Sequence, residues 1–123
     1  MAEEWEQEEL FPSASQQEIQ HAKSLLMRYR RCKAIVTEMQ NMELNEQKRS
    51  KFQRFERLTQ DIERAVRLIL DPEVRRIIEL RYIKGERHKV VVLHFGVMHP
   101  STVDRKIKEG IESVANSLKL LGS

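Results

Sequence analysis

The sequence is poor in the residues that interrupt helices or cross-link chains. It contains one cysteine, four glycines and three prolines among 123 residues. A lone thiol, Cys32, cannot form an internal disulfide, which is typical of a protein from a reducing cytoplasm. Few turn-forming residues, combined with many Glu, Lys, Arg, Leu and Gln, favour helix over strand. The composition therefore predicts an all-α, cytoplasmic protein.

Two further absences concern hydropathy and charge. No apolar run is long enough to cross a bilayer, so we expect no membrane partner. Residues 1–18 contain six Glu and no Lys or Arg, unlike a basic leader peptide. Residues 19–123 therefore carry all 22 basic side chains against 13 acidic ones, a net charge of +9. Such a basic surface suits a polyanionic partner.

Patterns typical of catalysis are also missing. His88, His94 and His99 are close in sequence but have no Cys or carboxylate neighbours at metal-ligand spacing. The chain has no glycine-rich phosphate loop, nucleophile elbow or pair of inward-facing carboxylates. We expect neither an enzyme nor a bound cofactor or metal.

The first 15 residues are acidic around Trp5 and Phe11 and predict a mobile tail. Two roles are open for it, a solubilising terminus or an arm that covers a basic surface. Ser15, followed three residues later by Glu18, predicts a capping box at the start of the first helix.

Residues 16–70 predict an antiparallel helical hairpin. The first helix is expected from Gln16 to about Leu44 and the second from about Lys51 to Leu70, with a polar turn at Glu46–Lys51. Because a small domain buries only a modest core, we expect a homodimer through this hairpin. Apolar residues of the first helix alternate at spacings of three and four, which is typical of a coiled-coil seam. They are Ala22, Leu25, Tyr29, Cys32, Val36 and Met39.

Residues 71–123 predict a helix-turn-helix, a unit whose last helix presents its first turns to the edges of DNA bases. Asp71-Pro72 is a helix start, and Gly85 ends that helix near Lys84. A second helix is expected over Glu86–Phe95. We expect Gly96 to turn the chain with a positive φ and Val97 to fill the core between the helices.

The last helix is expected from Pro100 or Ser101 towards Leu121, capped by His99 or Ser101. Its predicted buried stripe is Val103, Ile107, Ile111 or Gly110, Val114, Leu118 and Leu121. Gly110 inside a helix costs about 1 kcal/mol against Ala, which suggests close packing or a slight bend.

The opposite side of this helix supplies the candidate DNA-binding residues. Arg105 has the fork of donors that binds guanine in the major groove. Ser101 and Thr102 suit a phosphate or a thymine methyl, and His99 can reach either. We expect Lys106 and Lys108 on backbone phosphates. Arg87, His88 and Lys89 begin the preceding helix, where backbone amides also attract phosphate.

The run from Asp71 to Gly85, with its proline-led helix and Leu-Arg-Tyr-x-x-Gly ending, resembles the C-terminal region-four domain of bacterial sigma factors. The step from Gly85 to Gly96 and the Thr102-Val103-x-Arg105 pattern extend this resemblance over about fifty residues. A helical hairpin before such a domain is similar to small phage and prophage transcription regulators of the ArpU/RinA kind. The resemblance implies binding of double-stranded DNA at a promoter element and contact with RNA polymerase.

Two other functions are open on the same residues. Phage small terminase subunits also combine a helix-turn-helix with oligomerising helices and act in DNA packaging. A helical adaptor that binds polymerase or a sigma factor without touching DNA is the third possibility. Arg105 separates the DNA-binding readings from the adaptor, because only they need its side chain.

Overall fold

The computed structural model describes residues 13–122, and these contain helices but no strand. The described helices are α1 (Gln16–Met39), α2 (Glu46–Arg67), α3 (Pro72–Ile78), α4 (His88–His94) and α5 (Pro100–Leu120). A π-helical segment, Glu79–Ile83, continues α3. The all-α prediction is confirmed. None of the described helices has the length and apolar character needed to span a membrane. The predicted acidic tail lies mostly outside the described residues.

The capping box at the start of α1 is confirmed. Ser15 Oγ accepts a hydrogen bond from the Glu18 amide at 3.2 Å, and Glu18 Oε1 accepts from the Ser15 amide at 2.9 Å. These reciprocal bonds satisfy two amides that have no partner within the helix.

The predicted turn at Glu46–Lys51 is wrong, because α1 ends at Met39 and α2 already begins at Glu46. The reason is Asn45, whose side-chain oxygen accepts from the Lys48 amide at 2.9 Å and caps α2. At its other end, α2 stops at Arg67 rather than Leu70. The connection between the two helices is therefore residues 40–45.

Helices α1 and α2 pack against each other. The predicted apolar seam of α1 is buried from Ala22 to Val36, and Cys32 within it is a core residue. Beside the seam, Tyr29 Oη donates to Glu63 Oε2 at 2.5 Å and Lys33 Nζ lies 3.2 Å from the same oxygen. The apolar stripe of α2 is less covered, since Phe52, Phe55 and Leu58 remain half-buried.

Helix α5 packs against α1, α2 and α3, so residues before and after the 68–71 connection share one hydrophobic core. Its buried stripe matches the prediction except at Leu121, which is exposed. The largest apolar side chains of the shared core that have almost no exposed surface are Leu26, Ile62, Ile77, Ile78, Val91, Val103 and Val114.

Three glycines were predicted to have structural roles in this part of the chain. Gly85 has a φ of 72°, as expected for the residue that ends the first helix of the predicted unit. Gly110 lies against α3, where a Cβ atom would be 2.3 Å from Ile78 Cγ1, so its predicted role in close packing is confirmed. Gly96 does not have the expected positive φ, because positive values among the described residues occur only at Gly85 and Gly122.

The prediction for Val97 is also wrong. Its side chain is 100% exposed. Met98 is the residue of this turn that packs against the core, and Val91 from α4 fills the interior position. The Met98 amide donates to the Phe95 carbonyl at 2.8 Å, and this tight turn directs Val97 outward.

We expect Gly110→Ala to destabilise the protein although alanine favours helix. The new methyl group would overlap Ile78 and crowd Val74, and such overpacking costs about 1–3 kcal/mol, against about 1 kcal/mol gained in helix propensity. Urea unfolding measures the difference. Glu112→Ala, at an exposed site on α5, is the control. A Gly110→Ala variant as stable as the control would contradict the close packing.

Glu63 gives the fold a pH dependence. Burial raises the pKa of Glu63, but hydrogen bonds from Tyr29 and Lys33 and the charges of Lys33 and Arg67 outweigh it, so the net pKa is lowered. A carboxyl with a lowered folded pKa stabilises the fold above its unfolded pKa of 4.5, and the stabilisation is lost as pH falls through the folded pKa. We expect wild type to exceed Glu63→Gln in unfolding free energy at neutral pH. The difference in unfolding free energy should shrink as the pH falls below about 4.5, and Glu38→Gln, at an exposed position of α1, is the control.

Candidate nucleic-acid interface

The candidate interface consists of α4, the turn after it and the first turns of α5. His99 is the N-cap of α5, and its Nδ1 accepts from the Ser101 amide at 3.2 Å and lies 2.7 Å from Ser101 Oγ. The prediction that His99 caps this helix is confirmed, and Pro100 follows at the first helical position. The cap fixes the direction of the first helical turn of α5 relative to the loop that precedes it.

The buried stripe of α5 decides which side chains remain free. Val103 is fully buried and Ile107 is 9% exposed, so the residues on the other side of the same turns face away from the core. Ser101, Arg105 and Lys108 are exposed there. The predicted display of these three side chains is therefore present in the structure.

The nine predicted site residues differ in accessibility. Thr102 and Lys106 are half-buried, at the border of the exposed face. The others are exposed, namely Arg87, His88, Lys89, His99, Ser101, Arg105 and Lys108. None of the nine is enclosed by the core, and the exposed lysines and arginines among them lie at the start of α4 and on the first nine residues of α5.

Arg105 is an accessible donor group on the exposed side of α5. Its side chain is 66% exposed, and its Nε lies 4.0 Å from Glu109 Oε1. This separation is too long for a hydrogen bond, and an exposed pair of this kind contributes little energy. The guanidinium can therefore reorient towards a ligand without losing a strong partner.

Lys106 is less available than its neighbours. Its Nζ lies 3.0 Å from Glu73 Oε1, and its side chain is only 15% exposed. The hydrogen bond to Glu73 raises the pKa of Lys106. The pair joins α5 to α3, so part of the charge assigned to phosphate contact is already balanced by a carboxylate.

His88 has a structural partner that the sequence did not reveal. Its Nε2 lies 2.5 Å from Asp104 Oδ1, and because an ionised carboxylate only accepts, Nε2 carries the proton. The two residues are sixteen positions apart, so helical periodicity in the sequence does not connect them. The contact connects the first turn of α4 to α5.

Residues that could bind a metal are not brought together in this part of the chain. Within residues 13–122, no group of three or more His, Cys, Asp or Glu side chains could hold a metal ion. His88 and His99 are each engaged with a neighbour on α5 instead. The chemistry of the surface is that of hydrogen-bond donors and positive charge.

Comparisons with protein-family models, with curated proteins and with solved structures gave no match for this chain. The interface is therefore defined by the geometry of its own residues.

We expect His88→Ala to loosen α4 locally. Helix α4 has seven residues and only one buried side chain, Val91, so a single contact at its start is a large share of its anchoring. Alanine keeps helix propensity high, and faster amide hydrogen exchange over residues 88–94 would therefore report the lost contact with Asp104. Lys89→Ala, an exposed change in the same helix, is the control. Equal exchange in both variants would show that the pair does not hold α4.

Proposed function

We propose that this protein is a sequence-specific DNA-binding regulator of transcription that places the first turns of α5 in the major groove. The observation that carries the proposal is the position of Arg105. It is exposed on the side of α5 opposite the buried stripe, in a helix whose other side is fixed to three neighbours. A guanidinium held on a rigid helix near its start suits the paired acceptors of guanine.

The arrangement of α3, α4 and α5 supports a helix-turn-helix of the sigma region-four kind. Proline at the start of α3, the positive φ of Gly85 and the short turn between α4 and α5 agree with the pattern that suggested it. In this proposal α1 and α2 form the hairpin on which the unit is mounted. The phage and prophage regulators of the ArpU/RinA kind are the proposed class.

The side chains divide into base-reading and phosphate-binding roles. Arg105 reads guanine, and Ser101 and Thr102 lie beside it at the start of the helix. Lys108 contacts backbone phosphates from α5, and Arg87 and Lys89 do so from α4. Lys106 has a smaller part, because it is already paired with Glu73.

A homodimer is part of the proposal because the half-buried stripe of α2 offers a surface for it. Phe55 and Leu58 line an open depression together with Lys51 and Arg54. A two-fold dimer binds two half-sites about one helical turn apart, or a multiple of that. Light scattering tests the assembly, since a ring of eight or more copies would favour a DNA-packaging subunit. Contact with RNA polymerase is proposed only from the resemblance.

Selection from a random DNA pool, followed by competition between the selected duplex and a scrambled one, tests the proposal. We expect Arg105→Ala to lose about 1–3 kcal/mol of discrimination at one base pair, because the bidentate contact is removed. Lys108→Ala and Arg87→Ala should weaken both duplexes alike, since phosphates carry no sequence information.

Arg49→Ala, an exposed arginine in the first turn of α2, is the matched control and should bind like wild type. An equal loss of affinity for both duplexes in Arg105→Ala would contradict the base-reading assignment. A wild-type protein that binds neither duplex would leave the adaptor as the better function.

A further inference from the structure

A small polar depression lies between α1 and the π-helical segment after α3, next to the candidate interface. Its volume is about 210 Å³, and it is lined by Leu26, Met27, Arg30, Arg81, Tyr82 and Gly85. Arg30 comes from α1 and Arg81 from the π-helical segment. Two guanidinium groups from separate elements therefore line one surface depression.

Both arginines are held in position by neighbouring groups. Arg81 Nη1 donates to the Glu86 carbonyl at 3.3 Å, and its Cζ lies 5.2 Å from the centre of the Tyr82 ring. Arg30 lies directly over Gly85, where a Cβ atom would be 2.4 Å from both Arg30 Cδ and Arg30 Nη1. The missing side chain of Gly85 thus makes room for Arg30. Restricting the two side chains beforehand lowers the entropy cost of binding.

Neither guanidinium lies within ion-pair distance of a carboxylate from the part of the chain that the structure describes. Among residues 13–122, the ion pairs within 4.0 Å involve other basic residues, including Lys33, Arg75 and Lys106, but not Arg30 or Arg81. Two restrained guanidinium groups without acidic partners favour an oxyanion, and their planar forks match the oxygens of a phosphate.

The position and openness of the depression indicate whether it would bind a phosphate of a polymer or of a small molecule. It is open to solvent and shallow, so it suits one group of an extended polyanion better than an enclosed small molecule. Gly85 precedes the N-cap of α4, Arg87, by two residues, which is at most about 7 Å along the chain. Exposed Lys84, Arg87 and Lys89 surround this turn. The depression therefore adjoins the start of α4, where the proposed function already places phosphate contacts.

We propose that Arg30 and Arg81 form a site for a DNA backbone phosphate, so that α1 extends the interface beyond the helix-turn-helix. This proposal rests on the DNA-binding function proposed above. The site adds affinity but no base specificity, because a phosphate has the same chemistry at every step of the duplex.

The experiment measures binding of a fluorescent random-sequence DNA duplex between about 50 and 200 mM KCl by anisotropy. We expect Arg30→Ala and Arg81→Ala each to weaken binding and to reduce the slope of log affinity against log salt concentration by up to about 0.9, the value for one lost phosphate contact, because the two arginines share one phosphate. Arg30→Lys should keep most of the slope, because it keeps the charge. Thermal unfolding confirms that each variant is folded.

Arg31→Ala is the matched control, since Arg31 is exposed on the same helix and lines no part of the depression. A wild-type slope in Arg30→Ala and Arg81→Ala, or an equal reduction in Arg31→Ala, would overturn the site while leaving the proposed function intact. A wild-type protein without affinity for the selected or the random duplex would overturn both proposals, which distinguishes the two failures.

Discussion

The arrangement depends on the burial of one side of α5. Its apolar stripe contacts three other helices, and Gly110 allows it to approach Ile78 more closely than any side chain would permit. Each large aliphatic side chain buried in this way contributes about 1.5–3 kcal/mol. Rotation of α5 about its axis would expose several of these residues together, so the stripe fixes the rotational setting of the helix. The direction in which Arg105 points is a consequence of that setting.

The two helices of the candidate interface are anchored unequally. Helix α5 has seven buried residues, whereas α4 has one, and Val90, Leu93 and Val97 near it are exposed. Each helix also has a polar contact, because His88 joins α4 to Asp104 and His99 caps α5. Exposed polar pairs are weak individually, so α4 belongs to the less stable part of the fold. A base-reading group benefits from the rigid helix, while phosphate contacts tolerate the looser one.

The structural features that depend on local periodicity were predicted from the sequence, whereas those that depend on a single side-chain contact were not. The seam of α1, the stripe of α5, the capping box at Ser15 and the helix end at Gly85 follow from spacing and backbone preference, and they were predicted correctly except that Met39 is half-buried and Leu121 is exposed. The α1–α2 connection was misplaced because a single Asn45 cap converts a polar stretch into helix. The predictions for Val97 and Gly96 were wrong because the packing of Met98 against the core determines the conformation of this turn. The partners of His88 and Lys106 lie 16 and 33 positions away, and no periodic signal connects such residues.

The small number of free cations limits how strongly one copy of this surface could bind a polyanion. Arg105 and Lys108 on α5 are accompanied by Asp104, Glu109 and Glu112, so the basic part of the helix is short. In the proposed DNA complex, each neutralised phosphate contributes about 0.9 to the salt dependence of binding, so a copy with only a few free cations would have a shallow slope and weak affinity. Further affinity has to come from cations outside the helix-turn-helix or from a second copy on an adjacent half-site. In the proposed function, cations outside the helix-turn-helix would add affinity without base contacts, whereas a second copy would also bring its own Arg105 to the second half-site.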